Sequence, residues 1–142
     1  MKTDSMLRHL LPIRVYYSDV DALGIVYHAN YLAYMERART ESLRNLGFDL
    51  ISLRDNYKVQ IAIRDIEIKF THPARLDDLL IVSSAVSDVK RASFSYNQAI
   101  YRQEEGGDIV STAEIKLVCV SLDLKPTILP EDLRLELQNG CR

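Results

Sequence analysis

Two aspartates two residues apart, Asp19 and Asp21, stand in the run YYSDVDALGIVYHAN (residues 16–30), which also carries Gly24 and the adjacent pair Tyr27 and His28. After this run comes the one long stretch whose apolar spacing suits a helix. A carboxylate just ahead of a helix N-terminus is a simple way to build a hydrolytic site. The carboxylate supplies or activates the nucleophile. The unsatisfied N–H groups of the first turn, with the positive end of the helix dipole, hold a developing oxyanion. Gly24 is the residue type needed where backbone turns sharply or approaches a ligand closely.

The neighbouring groups narrow the chemistry. A loop aspartate on its own usually caps a turn, and that structural role is the expectation for Asp19, through hydrogen bonds to backbone N–H groups. Asp21 is the candidate for the chemical role, as nucleophile or as general base. His28 near two aspartates meets a loose metal pattern, but no third ligand follows at a recognisable spacing, so no metal is expected. Ser42, Ser83 and Ser84 lack a G-x-S-x-G elbow and a matched histidine, which argues against a serine nucleophile. Tyr17 and Tyr27 read as core or pocket wall.

The flanking elements must position this loop. Residues 13–17 (IRVYY) alternate, placing Ile13, Val15 and Tyr17 on one face of a first strand. Asn30 is the expected N-cap of a helix over 31–46, closed by Gly47 at C′. Glu36–Arg39 and Arg37–Glu41 are spaced to pair on its flank, at ~0.2–0.5 kcal/mol each. In YKVQIAIRDIEIKF (57–70) the apolar positions move from odd to even numbers, which predicts a β-bulge near Arg64–Asp65. Strands follow over 79–89, 93–102 and 109–120, with a basic turn at Lys90-Arg91-Ala92 and a hairpin at 104–108. Lys125 to Leu129 reads as irregular tail, and Pro130 opens a short helix. The expected order is strand, long helix, a four-stranded antiparallel meander and a tail helix. Apolar residues expected on the outer sheet face (Leu80, Val82, Val118, Val120) predict an oligomer.

At 142 residues the chain reads as one α+β domain, with a core over about 12–130. The net charge of −2 gives no bulk electrostatic case for a nucleic-acid partner. The two cysteines, Cys119 and Cys141, form no CxxC pair, which fits a reducing, cytoplasmic setting. The polar N-terminal run broken by Pro12 reads as neither signal peptide nor membrane span.

The pattern Y-x-D-x-D-x-x-G-h-V-Y-H-x-x-Y, followed by E-R-A-R-T-E, resembles the hotdog-fold acyl-CoA thioesterases. Within them it is similar to the 4-hydroxybenzoyl-CoA thioesterase type and its Tol–Pal-associated short acyl-CoA branch. The resemblance implies a long central helix wrapped by a curved five-stranded antiparallel sheet. It assigns catalysis to Asp21, oxyanion binding to the His28 N–H, and substrate contacts to Gly24 and Tyr27. Lys90, Arg91 and Ser93 fall where the family meets the coenzyme A phosphates. Leu23 replaces a small residue and is expected to narrow the acyl end. Sites in this fold lie between two protomers, which implies a dimer and a tetramer built from it, with no cofactor beyond the coenzyme A of the substrate. An enoyl-CoA hydratase or dehydratase on the same fold, and a non-catalytic acyl-CoA-binding module, are the alternatives.

Overall fold

The structure, a computed structural model, describes residues 8–140; Cys141 and the first seven residues of the polar N-terminal run lie outside them. Five strands form one antiparallel sheet: β1 (His9–Arg14), β2 (Val59–Phe70), β3 (Leu79–Ser87), β4 (Ser93–Arg102) and β5 (Ile109–Ser121). Three helices accompany it: α1 (Ala29–Asn45), α2 (Leu50–Tyr57) and α3 (Glu131–Gly140). The single long helix of the sequence reading is therefore α1, joined by the expected tail helix and by α2, which the apolar spacing did not announce. α2 has a local cause: Asp49 caps it, with Oδ1 accepting the Ser52 N–H at 2.8 Å.

The sheet order is β1-β3-β4-β5-β2, which corrects the expected four-stranded meander. Only β3, β4 and β5 follow one another. β1 occupies the free edge of β3, so β2 pairs with β5 at the far side. The connection over 71–78 crosses the end of the sheet, held by Thr71 N–H on Val110 O and by Val26 N–H on Ala74 O. The first strand also starts earlier than its alternation suggested. Its edge position accommodates Pro12, which has no N–H to offer a ladder. Tyr17, expected on the buried face, sits instead in a 3-10 turn (Tyr17–Asp19) and is 83% exposed.

The predicted bulge is present, with the β2–β5 register shifting between Ile63 and Asp65. Arg64 is the inserted residue. Ile61 and Ile63 before it, and Ile66, Ile68 and Phe70 after it, therefore share the face that bears Cys119, Leu117, Ile115, Ala113 and Ser111. α1 packs on this face over β1 and β3, burying Tyr34, Met35, Ala38 and Leu43 against Leu80, Val82, Tyr96 and Ile100. Leu80 and Val82 thus lie beneath the helix, and Val120 is buried; of the four residues expected on the outer apolar face, Val118 is the one half-exposed there. The exposed apolar surface is on β2 instead, at Ile63, Ile66 and Phe70.

Beneath α1 the polar groups are paired. Arg39 is buried and donates to Gln98 Oε1 at 3.0 Å, and Gln98 in turn donates to Met35 O and Ser84 Oγ. This replaces the expected Glu36–Arg39 pair, while Glu41 pairs with Arg44 rather than Arg37. Tyr96 donates to Ser42 Oγ at 2.9 Å, and its burial pushes the phenol up to about 12. Gly47 ends α1 as expected. At φ +98° it sets a Schellman turn, with Phe48 N–H on Leu43 O and its own N–H on Arg44 O.

Candidate active site

The loop between β1 and α1 closes on itself at Asp21. Its N–H donates to Ile25 O, its C=O accepts the Gly24 N–H, and its Oδ1 accepts the Leu23 N–H at 2.8 Å. Gly24 has φ +77°, so a left-handed residue makes the turn. One carboxyl oxygen of Asp21 is thereby fixed, and the exposed side chain leaves the other facing solvent. Asp19 behaves as a loop tie. Its Oδ2 accepts the Tyr16 N–H at 2.9 Å, and its carbonyl accepts both the Tyr27 N–H and the Asn30 side chain. The Tyr34 hydroxyl is buried beside the Asp19 side chain. Burial, together with the adjacent Asp19 carboxylate, holds its pKa well above the usual phenol range.

α1 starts two residues earlier than predicted, with His28 rather than Asn30 at the N-cap. Asn30 is withdrawn from capping because its Nδ2 reaches back 2.8 Å to Asp19 O. No side chain caps this helix. Asn30 and Tyr31 donate to Tyr27 O and His28 O, while the His28 and Ala29 N–H groups find no acceptor among the described residues. Free main-chain donors at a helix start are suited to an anionic oxygen. The His28 ring packs at 4.6 Å from Tyr27 and at 6.0 Å, edge-on, from Phe70. Phe70 also meets Tyr31 at 5.8 Å. Sequence reasoning read Phe70 only as a strand residue; the bulge that turns it toward α1 was the signal.

The structure gathers Asp21, Gly24, Tyr27 and His28 at the end of the sheet where β3 begins. Leu76 N–H bonds Gly24 O, and Val15 N–H bonds Asp78 O. The basic turn is at the opposite end of β3. The nine residues of β3, at a rise of ~3.3 Å from each to the next, separate the two by roughly 26 Å. Lys90 forms the ridge between two cavities there. Arg91 lines one of about 520 Å³ with Arg134 and Gln138, and Ser93 lines one of about 140 Å³ with Arg64 and Lys116. Lys90 Nζ lies 3.8 Å from Asp88, and Arg102 is engaged with Asp78, Asp108 and Pro73 O. A further cavity of about 550 Å³ is on the outer sheet face and contains none of the predicted site residues. Among the described residues no His, Cys, Asp or Glu cluster forms a metal-ligand set, and no helix is long and apolar enough to cross a membrane.

A helix packed on a five-stranded antiparallel sheet of this order, with an acidic loop at the helix start, is the hotdog arrangement of thioester-hydrolysing enzymes. The chain belongs to the thioesterase-like superfamily, whose family model matches residues 15–137. It is 40% identical over 124 residues to the acyl-CoA thioesterase YbgC of Haemophilus influenzae, covering 87% of this chain and 89% of that one. It is 30% identical to a 1,4-dihydroxy-2-naphthoyl-CoA hydrolase of Thermosynechococcus vestitus, over 84% of this chain and 81% of that one. Among solved structures, a probable thioesterase from Bartonella henselae matches with TM-score 0.81 and 34% identity, across 87% of this chain and 99% of that one.

Proposed function

We propose that the protein hydrolyses an acyl-CoA thioester to the free acid and coenzyme A. The carrying observation is that one loop holds both the exposed Asp21 carboxylate and, where it enters α1, main-chain N–H groups without an acceptor among the described residues. A thioester carbonyl is already electrophilic, so a placed oxygen nucleophile and an oxyanion site suffice, and the reaction draws on no metal or organic cofactor. Asp21 attacks the carbonyl carbon or deprotonates a water that does so. Charge gathers on the carbonyl oxygen against the His28 N–H. Collapse of the tetrahedral species expels the coenzyme A thiolate, which takes up a proton; on the nucleophilic route water then cleaves the mixed anhydride on Asp21, releasing the acid and restoring the carboxylate. Within the superfamily the D-x-D-x-x-G-h-V-Y-H motif supports the 4-hydroxybenzoyl-CoA thioesterase type, with its Tol–Pal-associated branch.

The active unit in this reading is a dimer. Ile63, Ile66 and Phe70 are exposed on an edge strand whose outer side pairs with no other strand among the described residues. A two-fold operation through that edge reverses strand direction, so the basic turn of the partner approaches the acidic loop. Lys90, Arg91 and Ser93 would then grip the phosphates of a thioester cleaved at the other protomer's Asp21. Tetramers and a cytoplasmic location are further parts of the proposal. A thiol-release screen over alkanoyl- and aroyl-CoAs, beside sedimentation of the same sample, is the test. Thiol release from a dimer or larger assembly supports the reading. Hydration of a 2-enoyl-CoA without thiol, or binding without turnover, refutes it.

A further inference from the structure

The hydrogen bonds made by Asp21 stay within residues 21–25, so they shape its turn without placing that turn on α1. Gly24 and Val26 tie the turn to the connection over 71–78, through the Leu76 N–H on Gly24 O and the Val26 N–H on Ala74 O. The tie to the helix is made just ahead of Asp21. There the Asp19 carbonyl accepts the Asn30 side-chain N–H at 2.8 Å and the Tyr27 N–H at 3.2 Å. Tyr34, one turn beyond Asn30 and so on the same face of α1, brings its buried hydroxyl beside the Asp19 side chain. One helix face therefore grips Asp19 at both its carbonyl and its carboxylate. Asparagine at a helix start commonly turns its oxygen onto main-chain N–H groups. Here the Asn30 amide donates to the loop instead, and the His28 and Ala29 N–H groups stay without an acceptor among the described residues.

We propose that Asn30, with Tyr34 behind it, is the positioning residue of this site: by holding Asp19 on α1 it sets the spacing between the Asp21 carboxylate and the free N–H groups of His28 and Ala29. The inference rests on the thioesterase reading above. This spacing counts when the carbonyl oxygen takes up charge, and a misplacement of about 1 Å costs about 10²-fold. It does not bear on the grip of Lys90 and Arg91, which line cavities that include neither Asn30 nor Asp19. The test measures thiol release from the best acyl-CoA of the screen in wild type, Asn30→Ala and Asn30→Asp, each alone and combined with Asp21→Asn. The affinity of S-propyl-coenzyme A, a thioether with no carbonyl, and a thermal melt are taken on the same proteins. Asn30→Asp is nearly isosteric and sets an acceptor against the Asp19 carbonyl, yet a carboxylate in the first turn suits the helix dipole. Helix stability and the positioning role thus pull that variant in opposite directions. Both single variants lower kcat about 10–100-fold, with KM and the thioether Kd within about three-fold. On the Asp21→Asn background the same changes cost less than about three-fold, because without the carboxylate there is no spacing left to hold. Folded variants with kcat within about two-fold of wild type overturn the inference alone. So do losses that multiply with Asp21→Asn, or a KM and thioether Kd that rise as kcat falls. If both Asn30 variants fail to fold, Tyr34→Phe carries the test: a fall in kcat of about 3–10-fold at unchanged KM supports the inference, and an unchanged kcat overturns it. Thiol release from no acyl-CoA by wild type overturns the thioesterase reading and the inference with it.

Discussion

Replacing Asp21 by asparagine separates the chemistry of this carboxyl from its place in the turn. Oδ1 accepts the Leu23 N–H at 2.8 Å, and the main-chain bonds to Ile25 and Gly24 do not involve the side chain. Asparagine keeps an Oδ1 acceptor, so the turn survives and stability stays within about 0.5 kcal/mol. The loss is one ionisable oxygen. A positioned base contributes about 10²–10⁴-fold, so kcat falls by that factor, or ~3–5 kcal/mol of barrier. Asp19→Ala is the reciprocal case. It removes the acceptor of the Tyr16 N–H, 2.9 Å away, but leaves the Asp19 carbonyl holding Tyr27 and Asn30. One partly exposed hydrogen bond is worth about 0.5–1.5 kcal/mol, so Tm falls by about 2–5 °C while kcat falls less than about ten-fold. Thiol release with saturating acyl-CoA and thermal melts on the same preparations read both quantities. Asp21→Asn turning over within about three-fold of wild type, with Asp19→Ala inactive yet folded, would refute the division of roles.

Three further outcomes follow from other parts of the molecule. The double change Lys90→Gln, Arg91→Gln raises KM for acyl-CoA about ten-fold or more, since contacts to charged groups are worth ~1.5–3 kcal/mol. It leaves kcat within about two-fold and does not affect an acyl-pantetheine substrate, which steady-state kinetics on both substrates will read. Gly47→Ala meets no atom within 4 Å of its new Cβ, so its cost is purely that of φ +98°. A melt is expected to fall by the equivalent of about 1–2 kcal/mol, with activity at 25 °C unchanged. His9 has its pKa lowered by burial, opposed by Glu41, and its Nδ1 is buried without a partner. Because the folded value lies below the unfolded one, the unfolded chain binds the proton first as pH drops. Stability from this group is fully present above about pH 6.5 and declines below it. His9→Gln flattens the stability–pH slope between about pH 7 and 5 in denaturant titrations.

What the sequence revealed, and what it withheld, depends on the range of the forces involved. The bulge at Arg64 was legible because side-chain direction alternates with period two, and burial makes any slip visible as a phase change. The Gly47 stop was legible because a positive φ selects its residue locally. The place of β2 at the far edge was not, since β1 and β2 compete for the same kind of ladder and the outcome depends on the whole sheet. Asn30 misled for a related reason. It has the chemistry of a cap, but its amide nitrogen is engaged by the Asp19 carbonyl of the acidic loop. The contact of Phe70 with the helix start joins both kinds of information. Local alternation shows that the strand changes phase after Ile63, and only the sheet order shows that the end of this strand meets the start of α1. Were Arg64 paired as an ordinary strand residue, the phase of Ile61 and Ile63 would run on unbroken, and Phe70 would face away from His28. One bulge in an edge strand thus determines whether the acidic loop is bordered by a ring or by solvent.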